Sequence, residues 1–396
     1  MVTRRSFLRT IISSLTLGTA GTIISCRHSK NNGITPYKHV DTDSENILLP
    51  ADENGLMLPD GYTSRIIAKT GETPYSGSAY TWHGSPDGGA TFETDNGGWI
   101  YVSNSELDNN QGGVGAIQFD TSGNVIQAYS ILDNTSRNCA GGTTPWKTWL
   151  SCEEIETGTV WECDPYGQLL PIQRKALGTF NHESLTVDTN SSIIYMTEDK
   201  TDGCLYRFIA DSFDSSGYPR LISGTLQAAE LDSKTSIISW ITVPDPDATS
   251  LPTRYQVPSS KPFNGGEGIV YIDGFIYFAT KGDDRIWKLN TITNKLSVYY
   301  DAKIYIDPIL TNVDGMTVSP KDEVVVSEDG GNMQIVAITK TGKFNPIVQI
   351  VGHDRSEVTG PAFSPDGQRL YFSSQRGSVG NSSSGITYEV TGPFLT

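Results

Sequence analysis

One unit recurs six times along this chain of 396 residues, and a repeat of this length and texture leaves few folds open. Each copy opens on a polar or acidic residue with Gly nearby and continues as a short apolar run. After a turn, a second apolar run ends in Ser or Thr and a charged or polar residue. The copies are residues 87–92 with 99–106, 139–146 with 148–154, 182–187 with 194–199, 267–272 with 276–281, 314–318 with 324–329, and 359–363 with 370–376. Their Val, Ile, Tyr and Phe runs, broken by Gly, Asn and Asp, read as strands. Two further strand-like runs follow each hairpin, as at 115–119 and 125–129, and again at 285–289 and 296–300. Four strands per unit, repeated six times, predict an all-β fold, a six-bladed β-propeller. The last unit is short, with only 386–390 left for its third strand, and 62–68 is expected to supply the missing outer strand and close the ring. The interval 206–258 is longer than a blade needs and is read as carrying an insertion.

A propeller fixes where the hairpin ends go. The first strand of a blade lines the central channel and the second returns beside it, so the start of one and the end of the other meet at the same mouth. The first strands bring Asp87, Cys139, Glu183, Glu267 and Asp314 there, with Glu357 just before the last of them. The second strands bring Glu106, Glu153, Glu154, Glu198, Asp199, Glu328 and Asp329. One Asp-Gly pair is ordinarily only a turn, but acids recurring at equivalent positions of most repeats would repel one another without bound counter-charge. Hard cations with oxygen ligands, Ca2+ first, answer that need. Cys139 occupies the register of Glu183 and Glu267, and a thiolate suits iron or zinc better than Ca2+, so the predicted site is mixed. His182 is read as a ligand or as a packing residue. Cys152 is left to the core or a disulfide, and Cys163 with Cys204 is a candidate pair.

The net charge of −16 disfavours nucleic acid as a partner and suits a soluble exported protein. Residues 3–9, Thr-Arg-Arg-Ser-Phe-Leu-Arg, form a twin-arginine signal of the kind that exports folded proteins. The apolar stretch 10–25 is short for a membrane span, and 23–26, Ile-Ile-Ser-Cys, resembles a lipobox in which Cys26 becomes the lipidated first residue. The expected layout is therefore a signal over 1–26, a flexible tether over 27–46 and a propeller over 47–396. The mature protein would be periplasmic or on the cell surface, held by lipid at Cys26, and a monomer.

Residues 137–154, with Asn-Cys-Ala-Gly-Gly at 138–142, together with Phe-Asn-His-Glu at 180–183 and Tyr-Met-Thr-Glu-Asp at 195–199, resemble the signatures of the PhoX alkaline phosphatases. The resemblance runs from about residue 55 to the C-terminus. It implies a six-bladed propeller that hydrolyses phosphomonoesters with a pair of ferric ions, Fe(III), bridged by oxide, together with Ca2+. It implies that Cys139 is an iron ligand and that Glu183 and Glu267 are acidic ligands. Glu106 matches the family's Asn-His-Glu element with Ser in place of His, which makes Asn104 a phosphate contact. Glu153 or Glu154, Glu198, Asp314 and Glu328 complete the expected ligand set. The nucleophile so implied is a metal-bridging oxygen. Two departures stand out: the family often carries Arg where this chain has Gly265, and Gln-His-Pro-Gly where it has Gln-Arg-Gly at 375–377. Lys281 or Arg376 is then the candidate to grip phosphate. The competing readings are a Ca2+-dependent lactonase-like hydrolase, which needs no thiolate, and a binding propeller with structural metals.

Overall fold

A computed structural model describes residues 38, 39, 42 and 47–395. The twin-arginine signal, the lipobox and most of the expected tether lie outside them. Within the stretch read as a tether, Lys38 and Thr42 make isolated β-bridges to Tyr305 and Phe344. Among the described residues no helix is long and apolar enough to cross a membrane.

Among the described residues six antiparallel sheets follow one another along the chain. Blade 1 holds Pro86–Glu93, Trp99–Ser105, Gly112–Phe119 and Val125–Thr135. Blade 2 holds Asn138–Thr143, Trp149–Glu153, Val160–Cys163 and Ile172–Gln173. Blade 3 runs from His182–Val187 through Ile194–Glu198, Leu205–Ala210 and Gly224–Asp232 to a fifth strand, Ile237–Thr242. The long interval after residue 206 thus becomes an extra outer strand and a loop of residues 243–265 that returns to the mouth. Blade 4 is Gly266–Ile272, Phe275–Thr280, Arg285–Asn290 and Leu296–Asp301. Blade 5 is Val313–Val318, Val324–Glu328, Gln334–Ile338 and Phe344–Ile350, with Leu56–Met57 added at its edge. Blade 6 has Val358–Phe363, Arg369–Ser374 and Ile386–Thr391, and Thr63–Lys69 pairs with the last of these, as expected.

Because both faces of each blade meet a neighbour, the strands are apolar on both sides and the core is divided into six. One cluster fills each gap between adjacent blades: Leu150, Val160, Leu185 and Met196 join blades 2 and 3, and Val326, Val336, Ala279 and Ile286 join blades 4 and 5. The gap that closes the ring, between blades 6 and 1, is filled by Tyr371, Tyr101, Trp99 and Phe119. There Trp99 Nε1 donates to Tyr371 Oη at 3.0 Å and Trp82 Nε1 donates to Thr387 Oγ1 at 3.0 Å. Arg65 and Glu389 pair across the closing strands at 2.8 Å.

Around the axis the inner strands approach closely enough to exclude side chains. A Cβ on Gly268 would lie 2.5 Å from the Met316 nitrogen and 2.7 Å from the Asp314 oxygen. A Cβ on Gly88 would lie 2.5 Å from Ala140 Cα. The Gly after the acid is therefore set by contact between blades. Gly268→Val is expected to destabilise the protein by about 3 kcal/mol, since the backbone in its way cannot rotate aside. Thermal unfolding measures this, and an unchanged melting temperature would contradict the packing.

Candidate metal centre

Each inner strand begins with a slip in register. The slip falls between Pro86 and Gly89, Asn138 and Gly141, His182 and Leu185, Gly266 and Ile269, and Val313 and Met316. A bulge re-aims the residue inside it, and here that residue is Asp87, Cys139, Glu183, Glu267 or Asp314. In blade 6 the slip comes one residue later, between Thr359 and Ala362, and Glu357 ahead of the strand supplies the acid. These six residues form a first ring around the channel, and its five carboxylates are buried.

A second ring lies one residue past each returning strand: Glu106, Glu154, Asp199, Lys281, Asp329 and Gln375. The two rings are tied by main-chain bonds. The N–H of Glu106, Glu154, Lys281, Asp329 and Gln375 donates to the carbonyl of Ser85, Arg137, Gly265, Asn312 and Glu357, at 2.8 to 3.1 Å. Among the described residues four groups of ligand atoms result, each within 4.8 Å: Cys139, Glu154 and Glu183; Asp87, Glu106 and Glu357; Glu183, Glu267 and Asp314; Asp314, Asp329 and Glu357. Glu106, Cys139, Glu154, Glu183, Glu267 and Asp314 thus meet where the sequence placed them.

Glu153, Glu198 and Glu328, expected from the sequence as ligands, lie outside these groups. They end their strands, and successive strand residues point to opposite faces. Each turns into its own blade and clips the loop to the third strand. Glu153 accepts from Thr159 N at 3.3 Å and Trp161 Nε1 at 3.1 Å. Glu198 accepts from Cys204 N at 3.1 Å and Tyr206 Oη at 2.8 Å. Glu328 accepts from Gln334 N at 3.1 Å and Thr311 N at 2.8 Å. Burial pushes the carboxyls of Glu198 and Glu328 up to about 7. Asn104 is also spent internally. Its Nδ2 donates to Cys139 O at 3.1 Å and Ala140 O at 2.8 Å, and its Oδ1 accepts from Trp149 Nε1 at 2.9 Å and Ser151 Oγ at 3.0 Å. It braces the backbone of Cys139 and has no group left for phosphate. His182 is a packing residue, buried with its ring 3.5 Å from that of Phe180 and its Nε2 3.1 Å from Gly178 O. Cys163 and Cys204 are free thiols in different blades, so the candidate disulfide is absent among the described residues, and Cys152 is core.

The ring acids differ from these clipped acids in having few partners. Cys139 Sγ lies 3.3 Å from Glu183 Oε1 and 3.7 Å from Asp87 Oδ2. Gln375 Nε2 donates to Asp87 Oδ2 at 2.5 Å and Glu106 Oε2 at 2.8 Å. Burial, then mutual repulsion, pushes Asp87, Glu183, Glu267 and Glu357 well above the usual carboxyl range, and burial raises Asp314 to about 6. Burial also pushes the Cys139 thiol up, with Asp87 and Glu183 adding to it. The protein alone therefore holds a neutral thiol there, and only a bound cation would favour the thiolate. Converging oxygens with few internal donors, plus one sulfur, fit hard cations beside a softer transition metal.

Three cations stand among the acids. Lys281 Nζ is 3.0 Å from Glu267 Oε1 and 3.3 Å from Asp329 Oδ2. Arg376 Nη2 is 3.1 Å from Glu357 Oε1 and 3.6 Å from Asp329 Oδ1. Arg137, which the sequence reading left without a role, bridges Glu106 at 2.5 Å and Glu154 at 2.6 Å. Gln375 and Arg254 were missed as well. Arg254 comes from the inserted loop and reaches Glu156 at 2.8 Å, Glu198 at 3.2 Å and Asp202 at 3.3 Å. Only the repeat-equivalent position could have flagged Gln375, and nothing local marks Arg254.

The family model of alkaline phosphatase PhoX matches residues 115–306 and 275–377. Among solved structures, Pseudomonas fluorescens PhoX in complex with vanadate, a transition state analogue, is 17% identical, with a TM-score of 0.72 over 89% of this chain and 98% of that one. A gluconolactonase from Xanthomonas campestris, XC5397, is 12% identical, with a TM-score of 0.51 over 91% and 99%. At these identities both likenesses speak to the fold. No curated protein matches the chain. With the family model extending over most of the propeller, the chain belongs to the PhoX alkaline phosphatase family.

Proposed function

We propose that this protein is an exported alkaline phosphatase that hydrolyses small phosphomonoesters with iron and calcium held in the two rings. The observation that carries this reading is the convergence of buried carboxylates and one thiol on a single mouth, with Arg137, Lys281 and Arg376 among them. Cys139, Glu154 and Glu183 suit iron, because they include the sulfur. The all-oxygen groups, Asp87 with Glu106 and Glu357 and Asp314 with Asp329 and Glu357, suit Ca2+. When bound, such ions neutralise charge on the phosphoryl oxygens and supply an activated oxygen nucleophile.

The chain's own residues do the rest. Lys281 and Arg376 are proposed to hold the phosphate oxygens, joined by Arg137. Each now spends its charge on acids of the two rings, which bound ions would satisfy instead. Asn104 is a positioning residue that fixes the backbone of Cys139. A lactonase-like hydrolase has no use for a thiol in the ring, which disfavours that reading. The twin-arginine signal and Cys26 support export, with the mature monomer periplasmic or on the cell surface and anchored by lipid.

Cys139→Ser is expected to lower turnover of p-nitrophenyl phosphate at least about a hundredfold, the upper end of what losing even an outer partner of a metal ligand costs. The propeller should remain folded by circular dichroism, and full activity would remove Cys139 from the ligand set. The pH dependence has a definite sign. Ring carboxyls with raised pKa values hold protons that a cation must displace, so acid competes with metal and affinity rises with pH. Calorimetric titration with Ca2+ should tighten by about tenfold per pH unit for each proton released. Affinity independent of pH would contradict the raised pKa values.

A further inference from the structure

The channel continues past the first ring. Below Asp87, Glu183 and Asp314 lies a throat of about 40 Å3, and below that a chamber of about 430 Å3. Gly89, Gly141, Trp149, Met316 and Pro361 line both, so the spaces adjoin. The chamber is walled by later residues of the same inner strands, including Thr91, Thr143, Thr186 and Thr317, and none of the described residues lining it is charged. Thr143, Pro145 and Thr189 on its wall are exposed, so it reaches solvent on the face opposite the cations. A single water needs on the order of 10–15 Å3 and polar partners. The throat offers that room, together with the ring carboxylates and the hydroxyls of Ser184 and Thr359.

We propose that the chamber and throat are the water inlet of the site, a reading that rests on the phosphatase function proposed above. Hydrolysis consumes one water per ester. The bond from phosphorus to the ester oxygen breaks, a bond from phosphorus to the incoming oxygen forms, and a proton passes to the departing alcohol. The entering and leaving oxygens lie roughly in line. The organic group must project toward the open mouth, where Arg137, Lys281 and Arg376 stand. The entering oxygen is then on the deep side, and while substrate covers the mouth it is replaced from below. The throat admits water and is too narrow for the ester.

Met316→Trp, which fills the throat, tests this in the full mature protein with p-nitrophenyl phosphate as substrate. Steady-state kcat should fall about tenfold while the first turnover keeps its rate, giving a burst of about one p-nitrophenol per site. Bound metal and melting temperature should stay at parent values, KM should fall along with kcat so that kcat/KM is unchanged, and Met316→Ala should keep the parent kcat. Should Met316→Trp fail to fold, Thr186→Trp in the chamber decides on the same readouts. Parent kcat without a burst in a folded, metal-loaded plugged variant overturns the inlet alone. An unmodified protein that does not hydrolyse the ester overturns the phosphatase reading and the inlet with it.

Discussion

Repulsion among buried carboxylates is the constraint around which this molecule is organised. The first ring places Asp87, Glu183, Glu267, Asp314 and Glu357 out of water around one axis, where each ionised group raises the cost of the next. Lys281 and Gln375 offset only part of that repulsion. The six apolar clusters between blades hold the arrangement, and the closing pair of Thr63–Lys69 with Ile386–Thr391 prevents the ring from opening to relieve the strain. Stability made at the blade interfaces is thus concentrated at the mouth as a demand for positive charge. Lys281 shows how strong that demand is. Burial opposes its ammonium, yet Asp314, Glu267, Asp329 and Asp199 raise its pKa.

The propeller was legible because its signals repeat. Blade number, hairpin spacing and the closing strand all follow from patterns that recur in step, and the first ring follows from the start of each unit. What failed had no repeat to average over, or turned on one residue of alternation. Glu153 and Glu154 are neighbours of identical chemistry, and only the end of the strand decides that one clips a loop while the other faces the channel. Asn104 was expected as a phosphate contact because Asn104 and Glu106 match the family's Asn-His-Glu element; its surroundings in blade 2, Trp149 and Ser151, come from another repeat. Arg254 arrives on an insertion, where long-range placement leaves no local trace.

The positive charge at the mouth comes from several blades. The resemblance leads to an expectation of Arg at the place of Gly265, two residues before Glu267. In this chain Gly265 has a φ of +68° and its carbonyl accepts the main-chain N–H of Lys281 at 2.9 Å. Arg137 stands two residues before Cys139, at the equivalent point of blade 2, and likewise has a positive φ, 49°. A propeller lets cations reach one axis from different blades, as Arg137, Lys281 and Arg376 do here from blades 2, 4 and 6.

The central claim is that the two rings exist to hold metal ions that act on phosphate esters. Elemental analysis of the purified mature protein by mass spectrometry, coupled to p-nitrophenyl phosphate hydrolysis before and after chelation, tests it most directly. The account predicts iron together with calcium, and turnover at alkaline pH that disappears with the metals and returns on adding them back. Calcium alone without turnover would leave the propeller standing and contradict the phosphatase.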